Sequence, residues 1–283
     1  MHIFYWNTIM KDIVFILCIV LSLSCKKEST SEVVAKETNP MISYSMFSPI
    51  VHDTLVIDVS FPSSYQTDST RSYPVLYMTD GYWRRGQHQP IHDMAKSENV
   101  EEMIIVGIGY PDHYDPNVIR VRDLINHADR FLDFILTELI PRTEKDYRTT
   151  TDRTLWGSSY GGYFGMYILF NYAEKTKGVF GSYIIASPAV LETTNCEGVP
   201  TDLFGYETML SSKTTELSIS LYVTVGERED PPRFLNPFKQ LVKVLEDRHY
   251  TGFLMKSFID PGKDHYTVWE PTLYEGVRMF CRK

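Results

Sequence analysis

Apolar positions recur along this chain in two periods. At residues 55–61, Leu-Val-Ile-Asp-Val-Ser-Phe, polar residues interrupt the apolar run at two of seven positions, which predicts a strand with one face more buried than the other. Residues 73–78 predict a second strand, and residues 103–108 form a continuous apolar run, the pattern of a strand covered on both faces in a parallel sheet. Shorter runs predict further strands at 152–156, 181–186, 218–225 and 254–259. Between them the period lengthens. Ala128, Leu132, Ile135 and Leu139 fall four, three and four residues apart, on one face of a helix that Pro141 is expected to end or kink. Other helices are expected near residues 90–97, 163–170 and 237–248. Strands alternating with helices predict an α/β fold, a mostly parallel central sheet with helices on both faces.

Residues 1–24 depart from this pattern. Lys11 precedes an apolar run at 13–21 that is followed by small residues, the layout of a secretory signal peptide and too short for a membrane span. Leu21-Ser22-Leu23-Ser24-Cys25 resembles a bacterial lipoprotein cleavage site, with Ser22 where leucine is usual and Cys25 as the lipid anchor. Residues 29–39 are polar and aperiodic, as a tether is. The expected organisation is a lipoprotein-type signal peptide at 1–24, a flexible tether at 25–41 and one folded α/β domain at 42–283. The expected location is the bacterial cell envelope, periplasmic or on the outer membrane, with membrane contact through the lipid. Of the four cysteines, Cys18 is removed with the signal and Cys25 acylated. Cys196 and Cys281 are far apart and are expected to remain unpaired.

Composition narrows the function. A 283-residue chain with 43% hydrophobic and 23% charged positions is ordinary for a globular protein and long enough for one substantial core. A net charge of −8 and the lack of any lysine and arginine run argue against a nucleic-acid partner.

The candidate chemistry centres on Gly157-Ser158-Ser159-Tyr160-Gly161, a Gly-x-Ser-x-Gly pattern between a strand entry and the apolar helix. In that setting a strand turns so sharply into a helix that the central serine, Ser159, projects as a nucleophile. A Cβ at Gly157 or Gly161 would be expected to collide with the adjacent strand. The serine needs a base that titrates near neutrality. Of eight histidines, His265 lies in the loop directly after the last predicted strand, where functional groups of a parallel sheet gather. The loop after the preceding strand, Gly226-Glu227-Arg228-Glu229-Asp230, offers three carboxylates to hold the imidazole; Glu229 is the first choice, with Asp230 and Glu227 behind it. Oxyanion donors are expected from the backbone N–H of Tyr160 and, after an early strand, of Tyr82 in Asp80-Gly81-Tyr82.

These residues carry a family resemblance. Residues 73–81 and 105–110, Arg120 to Asp123, residues 131–147, the Gly157 to Gly162 elbow, Ala186-Ser187-Pro188 and Asp264-His265 resemble, in order and spacing, the esterase family of α/β-hydrolases that includes esterase D, ferric-siderophore esterases, feruloyl esterases and mycolyltransferases. The resemblance implies the α/β-hydrolase fold and a triad of Ser159, His265 and an acid three residues after the glycine, Glu229. The reaction it implies is two-step transfer of an acyl group from a carboxylic ester to Ser159 and then to water, with no metal or organic cofactor. Siderophore or polysaccharide-linked esters are the expected substrates. Transfer to a sugar alcohol, or non-catalytic ligand binding on an esterase scaffold, are the alternatives. Aromatic residues near the expected mouth, among them Tyr82, Trp83, Tyr266 and Trp269, suit stacking on a ring, and Arg84 and Arg85 suit an anion.

Overall fold

The computed structural model describes residues 39–194 and 201–282. Its strands are β1 (Met41–Ser48), β2 (Asp53–Ser60), β3 (Tyr73–Met78), β4 (Ile104–Gly109), β5 (Thr149–Ser158), β6 (Ser182–Ala186), β7 (Ser220–Gly226) and β8 (Leu254–Asp260). They form one sheet in the order β1-β2-β4-β3-β5-β6-β7-β8. From β4 to β8 neighbours are parallel, while β2 runs antiparallel to both β1 and β4. This is the α/β-hydrolase arrangement.

Alternation along each inner strand sorts the core into two layers. In β3, Val75 and Tyr77 face one layer with Ile104, Phe131, Phe164 and Ile185, while Leu76 and Met78 face the other with Ile91, Trp156, Ile184 and Leu273. Covering helices include α1 (Gly81–Arg84), α2 (His88–Ser97), α3 (Pro116–Val121), α4 (Ala128–Phe134), α5 (Ile140–Asp146), α6 (Tyr160–Phe170), α7 (Leu203–Lys213), α8 (Asn236–Arg248) and α9 (Trp269–Phe280). α6 is apolar all round and buried along nearly its whole length, which seats it in the middle of the first layer.

Of the two outcomes expected at Pro141, an end or a kink, the helix does not end there. The Ile140 N–H reaches back five residues to the Ile135 carbonyl, so a widened turn resets the register and Pro141 enters α5 in the first turn, where no N–H is needed. Contacts with the domain also reach ahead of residue 42. Asn39 accepts and donates hydrogen bonds with Gln89 and donates to the Phe61 carbonyl, and β1 begins at Met41. The expected signal peptide, the expected tether up to residue 38, Cys25 and Cys196 lie outside the described residues. Cys281 is a free, buried thiol whose pKa burial pushes up to about 12. Among the described residues no helix is long and apolar enough to cross a membrane.

A buried polar cluster sits beneath β2. Ser60 Oγ bridges His88 Nδ1 at 2.8 Å and His92 Nε2 at 2.9 Å, donating to one ring and accepting from the other, which suits two neutral imidazoles. Burial above all, reinforced by His92 and Arg85, pushes His88 down to about 3; burial and Lys96 push His92 down to about 4 against Asp93 and Glu102. Below the free imidazole value of about 6.5 the unfolded chain therefore binds protons that the folded chain refuses. Stability is expected to fall as pH drops, by on the order of 1 kcal/mol per pH unit for each ring. Urea midpoints taken from about pH 7 to about pH 5 check this, and a flat profile would exclude the neutral pair.

Candidate active site

The chain turns sharply between β5 and α6, and Ser159 is the residue at the turn. Its backbone sits at φ 58°, ψ −116°, a strained conformation for a side-chain-bearing residue. The strain is held by the Ser159 N–H donating to the Ala186 carbonyl at 3.0 Å and by the Tyr163 N–H closing α6 onto the Ser159 carbonyl at 2.8 Å. A Cβ on Gly157 would stand 2.1 Å from the Gly161 carbonyl oxygen, so the collision is with the first turn of α6 and not with the neighbouring strand. At Gly161 the expectation of a strand neighbour comes closer: its Cβ would meet Thr79 Oγ1 and Asp80 Oδ2, just past the end of β3.

The structure brings Ser159, His265 and Glu229 into one hydrogen-bonded line. His265 Nε2 lies 3.0 Å from Ser159 Oγ, and His265 Nδ1 lies 2.8 Å from Glu229 Oε2. Glu229 is 3% exposed, and the Gly226 N–H donates to its other oxygen at 2.8 Å. Of the three carboxylates in this loop only Glu229 turns inward. Glu227 is exposed and accepts from the Gly262 N–H, and Asp230 is exposed at the entry to the turn before α8. Glu227 thereby ties the acid's loop to the histidine's loop, together with Arg228 N–H donating to the Lys263 carbonyl at 2.8 Å. Phe234 packs on the imidazole with ring centroids 4.2 Å apart.

Sequence reasoning missed Ser187. It follows β6 at φ 45°, is fully buried, and donates its hydroxyl to Glu229 Oε2, with Oγ 2.9 Å from His265 Nδ1. Its signal was Ser-Pro at a strand's carboxyl end, one strand away from the nucleophile. With Nδ1 facing a carboxylate, Nε2 is left bare to take a proton from Ser159.

Tyr82 and Tyr160 occupy the first turns of α1 and α6, where backbone N–H groups have no intrahelical acceptor. Between those turns sits the Asp80 carboxylate, in a left-handed residue at φ 59°. It accepts two hydrogen bonds from Arg120, at 2.5 Å from Nε and 3.0 Å from Nη2, a pairing that sequence reasoning also missed. Above them opens a cleft of about 370 Å³ lined by Trp83, Arg84, Asn117, Tyr266 and Trp269 as well as by Ser159 and His265. Among the described residues no cluster of three or more histidines, cysteines or carboxylates is arranged to hold a metal ion.

Fold and family together define a serine hydrolase of the α/β-hydrolase class, acting on carboxylic esters. The chain belongs to the esterase family described as "Putative esterase", which matches residues 48–280. Among solved structures it is similar to the BES protein from Bacillus cereus, at 22% identity over 98% of this chain and 100% of that one, with a TM-score of 0.70. It is also similar to the siderophore hydrolase EstA from Aspergillus nidulans, at 19% identity over 85% of this chain and 94% of that one, with a TM-score of 0.72. A third is an IroE-like serine hydrolase from Shewanella oneidensis, at 20% identity over 85% and 79% of the two chains, with a TM-score of 0.67. At these identities the likeness is one of fold. A search of curated proteins finds no match.

Proposed function

We propose that Ser159 is the nucleophile of this esterase, His265 its general base and acid, and Glu229 the group that orients His265. The observation that carries the reading is the 3.0 Å contact between Ser159 Oγ and His265 Nε2, backed by the buried Glu229. Ser159 Oγ attacks the ester carbonyl as its proton passes to Nε2. The tetrahedral oxyanion is received by the Tyr160 and Tyr82 N–H groups, each such donor lowering a barrier by about 3 kcal/mol. Collapse breaks the bond to the alcohol, which leaves with the proton from Nε2. Water, deprotonated by His265, then cleaves the acyl-enzyme and restores Ser159.

The test is turnover of a short panel by residues 26–283: p-nitrophenyl acetate and butyrate, methyl ferulate, an acetylated xylan oligosaccharide and a ferric trilactone siderophore. It is joined to mass mapping of a fluorophosphonate adduct, expected on Ser159. An adduct elsewhere, or none, overturns the assignment. Glu229→Gln is expected to lower kcat by about 10³–10⁴-fold, because the amide turns an N–H toward Nδ1 and selects the wrong tautomer. A loss of only a few fold would move the acid's role elsewhere.

For the physiological ester, siderophore or polysaccharide-linked esters are the proposed substrates; the siderophore hydrolase EstA among the similar folds supports the first of these. The location proposed is the bacterial cell envelope with Cys25 lipidated, on the strength of the apolar run at 13–21 and the residues before Cys25. Cys25→Ser is expected to release the protein from the membrane fraction, and unchanged fractionation would remove the anchor.

A further inference from the structure

Two arginines line the cleft over Ser159, and they are held in opposite ways. Arg120 is neutralised by the two hydrogen bonds it gives to Asp80. Arg84 has no such partner: among the described residues no carboxylate lies within ion-pair distance of it, and its Nε is sealed from solvent with no acceptor. Its neighbour Arg85 points elsewhere, 3.6 Å from Asp58.

What holds the Arg84 guanidinium is aromatic. It stacks 3.7 Å from the centroid of Trp269 and 5.3 Å from that of Trp156. Burial lowers its pKa to about 10, with Asp80 and Glu270 opposing the fall and Arg120 adding to it, so the group is still a cation at neutral pH. Rings attract a cation but do not cancel its charge, and a part-buried cation with no carboxylate in direct contact is a costly thing to keep. Such an arrangement is stable when the missing anion arrives with a ligand. Arg84 closes the four-residue helix that follows Asp80 and carries Tyr82, so an anion on it is placed by the same short segment as the proposed oxyanion donor. Trp83, 40% exposed, and Tyr266, 83% exposed, leave open rings at the same mouth.

We infer that Arg84 is a specificity-determining residue that receives a negatively charged group on the acyl or alcohol portion of the ester. This rests on the esterase reading above and deepens it: of the proposed substrates it selects anionic esters over neutral glycan esters.

The test compares two esters of equal chain length, mono-p-nitrophenyl glutarate and p-nitrophenyl valerate, in the wild type, Arg84→Met and Arg84→Lys. The quantity read is the ratio of kcat/KM for the anionic ester to that for the neutral one. Arg84→Met is expected to lower the ratio by about tenfold or more, chiefly through KM, and Arg84→Lys to restore part of it. Roughly 0.5 M salt is expected to shrink the wild-type ratio as well. A second arm uses calorimetry of the glutarate ester on Ser159→Ala, with and without Arg84→Met, where binding is expected to weaken by about tenfold. An unchanged ratio together with unchanged binding overturns the inference. If the wild type cleaves neither ester the esterase reading fails instead, and the binding arm still decides the role of Arg84.

Discussion

Alanine at Ser159 is expected to lower kcat toward an activated ester by about 10⁶-fold, with a residual rate still above that in water. The size follows from how the three groups act. Once the acceptor of the acyl group is gone, His265 and Glu229 have no proton to move, so nearly the whole covalent route closes at once. The residue left over comes from the cleft and the backbone donors, which the substitution does not touch. Stability should change little. Ser159 Oγ hydrogen-bonds only His265 among the described residues, and alanine carries the same backbone penalty at φ 58° that serine already carries. Stopped-flow turnover and thermal unfolding of the same preparation check both halves. Turnover retained within tenfold, with the fold intact, would send the nucleophile's role to another residue.

The parts of this molecule that could be read from the chain are those whose determinants are local. β3, β4 and β7 announce themselves because strands buried on both faces need apolar side chains at nearly every position. Ser159 is legible because the sharp turn needs its glycines, and His265 and Glu229 because each lies in the loop just after a strand. β1 was not legible. It lies at the edge of the sheet, where Tyr44 and Met46 are only half-buried against the core and three other apolar residues, Met41, Ile42 and Phe47, are exposed, so apolar character does not follow the buried face.

The rest of the site is set by approaches between distant segments. Asp80 finds Arg120 across a gap that holds the whole of α2 and β4, and Arg84 finds Trp269 from the opposite end of the chain. Neither pairing has a periodicity or spacing that marks it. Ser187 illustrates the same point beside the proposed triad, since the parallel pairing of β6 with β7, extended by the Ser187 N–H donating to the Thr224 carbonyl, brings the residue after Ala186 next to the loop that carries Glu229.

Gly157→Ala is expected to destabilise the fold by about 3 kcal/mol or more, at the top of the usual range for overpacking, because the obstacle is the backbone of Gly161 and Gly162 and not a side chain that could turn away. The added Cβ stands 2.1 Å from the Gly161 oxygen and 2.5 Å from its carbonyl carbon. Relief would require the first turn of α6 to back away from β5. That turn is itself wedged, with Gly161 against Thr79 and Asp80 and Gly162 against the Ala186 oxygen and Pro188. Even if α6 did retreat, it would carry Ser159 and the Tyr160 N–H with it, so activity is expected to fall in any fraction that folds. For a domain of this size the loss corresponds to a drop in Tm of roughly 6–12 °C. Gly181→Ala is the matched control, since an added Cβ there meets nothing within 4 Å, and its expected effect is within about 0.5 kcal/mol. Equal melting of the two variants would mean that α6 can slide along the sheet, and that the turn at Ser159 is not fixed by the contact between Gly157 and Gly161.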